Sequence, residues 1–308
     1  MSFVPTPASL SLRGAHLINA VITLGYVLPL YFTKYTRLSF RKTPGPRSKD
    51  VSERWRDDPA VIKARLLSVF VSTTASLYLI HYIITTCQEK SPVCNGPPPG
   101  FSFRKCDLPA YLVTPTLFLG PLYGRYLGHG SFMLRWTFDE RKKDTFNWVS
   151  VRNYVVGPIS EELVWRSCLI CVYRLAGASN VFTIFFTPVS FGSAHLHHVW
   201  ETYNVHGRTT QALRHAILLT LFQFAYTTLF GFHSAFLFLR TSSLLPSVSA
   251  HIFCNIMGFP QLQAELRWYP YHRKRRLSLR WVITLLYAYG MKAWTLRQDS
   301  AFWVLPVI

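Results

Sequence analysis

The sequence predicts an all-α, polytopic membrane protein: a bundle of about eight transmembrane helices forming a single integral membrane domain over residues 1–308. Three observations lead there. Charged residues make up only 15% of the chain and hydrophobic residues 50%, with a mean hydropathy of +0.18, whereas soluble domains carry roughly 25% charged residues. The apolar residues gather in long runs rich in Leu, Phe and Ile, and backbone in lipid must satisfy its own hydrogen bonds, which such runs do as helices. The 33 Lys and Arg against 14 Asp and Glu, net +19, are strung between these runs. A soluble nucleic-acid binder gathers them on one solvated face instead, and the low charge density excludes a disordered polyelectrolyte.

A spanning helix needs roughly 20 mainly apolar residues. The candidate spans are 15–33, 66–86, 108–127, 153–173, 180–198, 213–231, 243–258 and 281–296. The first follows Arg13 and runs on for spanning length, so it reads as an uncleaved anchor rather than a signal peptide. The segment 91–100 is a loop by its Pro and Gly content. Segments between 153 and 258 carry charges, His and Asn, which places them inside the bundle. The loops 34–65, 128–152, 199–212 and 259–280 hold 22 Lys and Arg, and the stretches 1–14, 87–107, 174–179, 232–242 and 297–308 hold 7. The positive-inside rule makes the first set cytosolic and puts both termini on the far side. The run His272–Arg276 then reads as a patch on the cytosolic bilayer surface, not a nucleic-acid site. Of the six cysteines, Cys87, Cys94 and Cys106 share one loop, open to a bridge in an oxidising lumen. Cys168 and Cys171 read as small apolar filler, with no second pair to complete a zinc pattern.

Ionisable groups inside spans are expensive and mark function. In Ser160-Glu161-Glu162-Leu163-Val164-Trp165-Arg166, Glu162 and Arg166 stand at i, i+4 with the acid first, the better orientation for a pair. One Arg neutralises one carboxylate, and Glu161 points about 100° away, so Glu161 needs another partner or a task. In Phe191-Gly192-Ser193-Ala194-His195-Leu196-His197-His198, Phe191 and His195 share a face and the small residues between them admit a neighbouring helix. His197 reads as structural, and His198 as a support for His195. In His251-Ile252-Phe253-Cys254-Asn255 an imidazole and an amide stand side by side. Alone, the first cluster is as consistent with an internal salt bridge as with a site, any histidine of the second with a hydrogen-bonded structural residue, and the third is more commonly an interhelical hydrogen-bond pair. Jointly they supply a base for water (Glu161, sharing the proton with His195) and donors for a developing oxyanion (His251 and Asn255). No Gly-x-Ser-x-Gly nucleophile elbow is present.

At these residues the sequence resembles the type II CAAX prenyl endopeptidases, glutamate-type intramembrane proteases of the CPBP (abortive-infection-like) superfamily. The motifs Glu-Glu-x-x-x-Arg, Phe-x-x-x-His and His-x-x-x-Asn stand in order as Glu161-Glu162…Arg166, Phe191…His195 and His251…Asn255. The likeness runs over a catalytic core of about 152–260. It implies a multi-pass enzyme of the endoplasmic reticulum membrane, its site open to the cytosol, that removes the last three residues from farnesylated or geranylgeranylated CAAX C-termini, Ras-like and others. It assigns water activation to Glu161 with His195 and the oxyanion to His251 with Asn255. Glu162, Arg166, Phe191 and His198 are supporting residues. It implies no cofactor. Two rivals stay open: a zinc-dependent version with Glu161, His195 and His251 as ligands and a water in the fourth position, and a non-catalytic scaffold or transporter using the buried charges for packing or proton relay.

Overall fold

The structure, a computed structural model, describes residues 10–41, 49–90, 108–129, 147–260 and most of 281–292. The loop at 91–100, Cys94, Cys106 and the His272–Arg276 run lie outside the described residues. Among the described residues the chain is helical, and its β pairing is an isolated bridge between Ser39 and Arg54. The chain divides into two compact units, residues 1–103 with 148–247, and residues 104–147 with 248–308.

In the first unit, α1 (Leu12–Val27) starts where the Ser11 hydroxyl accepts the Gly14 N–H, and α2 (Pro29–Phe32) carries on past a break at Leu28, ahead of Pro29. Next comes α3 (Pro59–Lys90), whose proline sits at the helical position that needs no N–H; the helix therefore begins well ahead of the expected residue 66. A rod follows, made of α6 (Trp148–Val151), α7 (Gly157–Glu162) and α8 (Leu169–Leu175) joined by two π-turns, Arg152–Val156 and Leu163–Cys168. Then come α9 (Asn180–Ser193), α10 (His198–Val205) and α11 (Thr210–Thr241).

Two further expected boundaries move. The expected span 180–198 stops being helical at Ser193, and α10 fills part of the expected loop 199–212. The expected break at 232–242 is absent: α11 runs through it, because residues 232–241 contain neither Gly nor Pro, and ends where Ser242 turns left-handed at φ 51°. Among the described residues two helices, Pro59–Cys87 and Thr210–Thr241, are long and apolar enough to cross a membrane. At 1.5 Å per residue they measure about 43 and 48 Å, beyond the roughly 30 Å of bilayer hydrocarbon.

Burial along these helices is inverted relative to a soluble protein. On α3, Ser72, Thr73 and Ser76 are buried while Leu67, Phe70, Val71 and Tyr78 are exposed. On α11, Thr227, Thr228, His233 and Ser234 are buried while Leu218, Leu221, Phe222 and Leu229 are exposed. Water selects the opposite arrangement; lipid selects this one, with small and polar residues between helices. Buried hydroxyls bond within their own helices, Ser76 Oγ to Ser72 O at 2.8 Å and Thr187 Oγ1 to Thr183 O at 2.9 Å. A core of Ile22, Tyr26, Ile80, Trp165, Leu169, Tyr173 and Phe191 joins α1, α3, the rod and α9.

Close approach of α9 and α11 depends on two glycines. A Cβ on Gly192 would collide with Thr228 Oγ1, and one on Gly231 would stand 2.5 Å from Pro188 Cβ. The connector between α2 and α3 is built around Glu53, only 4% exposed, whose carboxylate accepts the Arg41 N–H at 2.6 Å, the Asp50 N–H at 3.1 Å and the Trp55 Nε1–H at 3.0 Å. Beside it, bonds from the Ser52 hydroxyl and N–H hold the Asp50 carboxyl below its usual range.

The second unit contains α4 (Leu108–Leu117), α5 (Leu119–His129), the helical stretch near 281–290, and all of α12 (Leu244–Met257) from Val248 onward. The α4–α5 break falls at Phe118, whose N–H bonds back to Pro115 O at 3.0 Å and whose ring meets Phe253 edge-on at 5.3 Å. A Cβ on Gly290 would stand 2.5 Å from Thr116 O, so these segments also pack backbone to backbone. Gly258, at φ +69°, ends α12.

Gly231→Ala is expected to lower stability by about 1–3 kcal/mol through overpacking against a rigid proline ring. Gly25→Ala, on α1 with nothing within 4 Å of the added carbon, is expected to be neutral or to stabilise by up to about 1 kcal/mol. Thermal midpoints of the two variants in detergent read the contrast, and equal midpoints refute the close packing of α9 on α11.

Candidate active site

The site begins with backbone. Pro158 has no N–H, so Tyr154 O loses its α-helical donor, and the Gly157 N–H reaches five residues back to Arg152 O. A side chain on Gly157 would put its Cβ 2.7 Å from that carbonyl. Only glycine fits this turn. The second π-turn closes the same way, Leu169 N–H to Val164 O. Each π-turn adds a residue to the helix and re-aims the side chains that follow; such turns are rare and concentrate at functional sites. Between the two lie Glu161 and Glu162.

The two acids have different surroundings. Glu162 is 0% exposed. Its Oε2 lies 3.0 Å from Arg166 Nε and accepts the Ser234 hydroxyl from α11 at 2.6 Å. Arg166 is equally buried, and its guanidinium sits 4.6 Å from the Phe191 ring centre and 5.8 Å from that of Phe230, a cation–π arrangement for nitrogens Nη1 and Nη2 that have no hydrogen-bond acceptor among the described residues. The expected i, i+4 pair is therefore formed and sealed from solvent. Glu161 is half-buried. Its Oε1 lies 3.9 Å from the position a Gly157 Cβ would occupy, and its charge is within electrostatic reach of Tyr26, Arg166 and Tyr226.

Above the acids, Ser160 spends its one proton on Gly157 O at 3.0 Å, so the Tyr26 hydroxyl, 2.9 Å away, must donate to Ser160 Oγ. Trp165 packs edge-on to both Tyr26 and Phe191, at 4.8 and 5.4 Å. This chain of contacts ties α7 to α1 and to α9.

His195 stands just beyond the end of α9, not on it. Its Nδ1 is 3.0 Å from Phe191 O; a carbonyl only accepts, so the proton is on Nδ1 and Nε2 is the basic nitrogen. Its ring meets Phe191 edge-on at 5.1 Å. His197 donates from Nδ1 to Ala194 O at 2.7 Å, the structural role expected of it. His198 lies 6.0 Å from His195, ring to ring, with Nδ1 3.4 Å from Glu201 Oε2. His251 and Asn255 lie on α12 in the second unit, one turn apart, His251 buried and Asn255 exposed.

Sequence reading marks Gly157 with Pro158 as a break just before the acids, and it misses Tyr26 and Ser234. Gly157 carried a signal, a glycine directly before a proline and the acids. Tyr26 and Ser234 carried none, since they meet Ser160 and Glu162 across 134 and 72 residues.

A family model described as Rce1-like, type II CAAX prenyl endopeptidase Rce1-like, matches residues 143–257, the stretch holding all three motifs. Among curated proteins, the chain is 35% identical over 242 residues to the probable CAAX prenyl protease 2 of Schizosaccharomyces pombe, covering 78% of this chain and 83% of that one. To the CAAX prenyl protease 2 of Homo sapiens it is 36% identical over 239 residues, 73% of this chain and 68% of the other. To that of Arabidopsis thaliana it is 46% identical over 114 residues, 37% and 36% of the two chains. No solved structure matches the chain.

Arg166→Met leaves Glu162 buried without its counter-charge and is expected to cost about 3–5 kcal/mol of stability. Glu162→Gln in the same background is expected to restore most of that loss. Denaturation of single and double variants in detergent measures both, and a double variant no more stable than Arg166→Met would refute the pairing as the source of the loss.

Proposed function

The chain belongs to the type II CAAX prenyl endopeptidase family, and on that premise we propose that it removes the C-terminal aaX tripeptide from farnesylated or geranylgeranylated CAAX proteins. The observation that carries the reading is the inequality of two adjacent acids. Glu162 is shut in by Arg166 and Ser234, while Glu161, one residue away, is only half-buried. A carboxylate held in a partly dry site suits activation of water, and a histidine whose Nε2 is basic suits sharing the proton.

In this reaction Glu161 takes a proton from water as the water oxygen bonds to the carbonyl carbon of the prenylated cysteine. His251 and Asn255 stabilise the resulting oxyanion. When the C–N bond breaks, the proton passes through Glu161 and His195 to the departing nitrogen, leaving a prenylcysteine carboxylate and a free tripeptide. Glu162 and Arg166 hold α7 in register, and Phe191 sets the tautomer of His195 through its carbonyl. No metal takes part. Support for the oxyanion pair comes from the motif His251…Asn255 and its placement on one turn of α12.

The enzyme sits in the endoplasmic reticulum membrane as a multi-pass protein with its site open to the cytosol. The supporting argument is the asymmetry of 22 Lys and Arg against 7 between alternate loops. The prenyl chain arrives through lipid, and the peptide tail arrives from the cytosolic side.

The test is cleavage of a prenylated CAAX peptide by the purified protein in detergent. Wild type is expected to release the tripeptide with or without a chelator. Glu161→Gln and His195→Ala are each expected to lower kcat by about 10²–10⁴, and Asn255→Ala by about 10²–10³. An inactive wild type, or a fully active Glu161→Gln, overturns the assignment; inhibition by chelator overturns the metal-free mechanism.

A further inference from the structure

Three arginines gathered beside the histidines have no part in the proposed proton transfers: Arg56 from the connector, Arg65 from α3 and Arg152 from the first π-turn. Arg152 is committed to structure. Its Nη1 donates to Arg56 O, its Nη2 to Asp57 Oδ1 and its Nε to Asn153 Oδ1, each at 2.9 Å. It thereby fixes the backbone from which the Arg56 side chain projects. Arg65 is only 8% exposed. Its Nε donates to Thr36 O at 2.9 Å, while its buried Nη2 has no hydrogen-bond partner among the described residues. A buried charged donor with an unmade bond is costly and points to a missing acceptor.

Arg56 is half-buried, and no described carboxylate pairs with it. It lies within electrostatic reach of Arg65, Arg152, His197 and His198. Among the described residues, the carboxylates facing Arg65 and Arg152 are Asp57, occupied by Arg152, and Glu201, drawn toward His198. Positive charge therefore remains in surplus, held in place by the protein's own scaffold. The surplus also borders the candidate active site. Arg56 and Glu161 are both within electrostatic reach of Tyr226, and His198 is 6.0 Å from His195.

We infer that Arg56, with the unused Nη2 of Arg65, forms the subsite that binds the free α-carboxylate at the end of the substrate peptide. The inference rests on the tripeptide-removing activity proposed above. Three extended residues place that carboxylate about 10 Å from the scissile carbonyl. A guanidinium fork matches a carboxylate in shape as well as charge. Cleavage position is then set from the chain end: the enzyme counts three residues back from a fixed anion.

The experiment compares two prenylated peptides, one ending in a free carboxylate and one in a carboxamide, with purified wild type and Arg56→Gln. Wild type is expected to prefer the free acid by about tenfold or more in kcat/KM, the weight of a charge-assisted hydrogen bond. Arg56→Gln is expected to lose that preference through a raised KM for the acid alone; unchanged cleavage of the carboxamide shows that the variant is folded. A wild type that cleaves both peptides equally, an Arg56→Gln that keeps the preference, or one that loses both activities in parallel overturns the subsite and leaves the protease reading standing. A wild type that cleaves neither peptide overturns the protease reading itself.

Discussion

A guanidinium and a carboxylate shut away from water inside a lipid-embedded bundle form the constraint on which the rest of the site depends. Desolvating either Glu162 or Arg166 alone is prohibitive, so the rod, α9 and α11 must meet where they do. α11 supplies the Ser234 hydroxyl, α9 supplies the Phe191 ring beneath the guanidinium, and Phe230 closes the other side. Phe191 then carries the constraint onward, since its carbonyl holds His195. A structural ion pair and the histidine at position 195 are thus linked through a single phenylalanine.

The neighbouring acid owes its different state to backbone geometry. A uniform α-helix would turn Glu161 about 100° from Glu162, which separates the two side chains but does not open a space for either. The π-turn at Arg152–Val156 and the missing side chain at Gly157 provide that space, next to Glu161 Oε1. The helix gives up regular hydrogen bonding on both sides of the acids, at Arg152–Val156 and again at Leu163–Cys168. Departures from regularity of this kind are rare and concentrate at functional sites.

What was legible in the sequence were features local to one helix: the apolar runs, the Glu162–Arg166 spacing, and small residues at Gly192 admitting a neighbour. The likeness of the ordered motifs to a known family added what spacing alone does not hold. Contacts between helices were not legible, because nothing near Tyr26 announces Ser160 and nothing near Ser234 announces Glu162. The misplaced break in α11 has a definite cause. Hydropathy falls at His233 and Ser234 because polar residues point inward in a lipid-embedded bundle, and a fall in hydropathy resembles the end of a span. The end of α9 was misjudged for the opposite reason: Ala194 and Leu196 keep the segment apolar after the helix has stopped at Ser193.

The unequal lengths of two partners carry a further consequence. α9, with 14 residues, extends about 21 Å and packs along an α11 more than twice as long. Acyl chains abutting such a wall meet hydrophobic mismatch on one flank and excess on the other. Thinning a bilayer costs only fractions of a kcal/mol per ångström, so lipid can follow helices of unequal length at small cost. Mismatch of this kind makes helix packing depend on the acyl-chain length of the surrounding lipid.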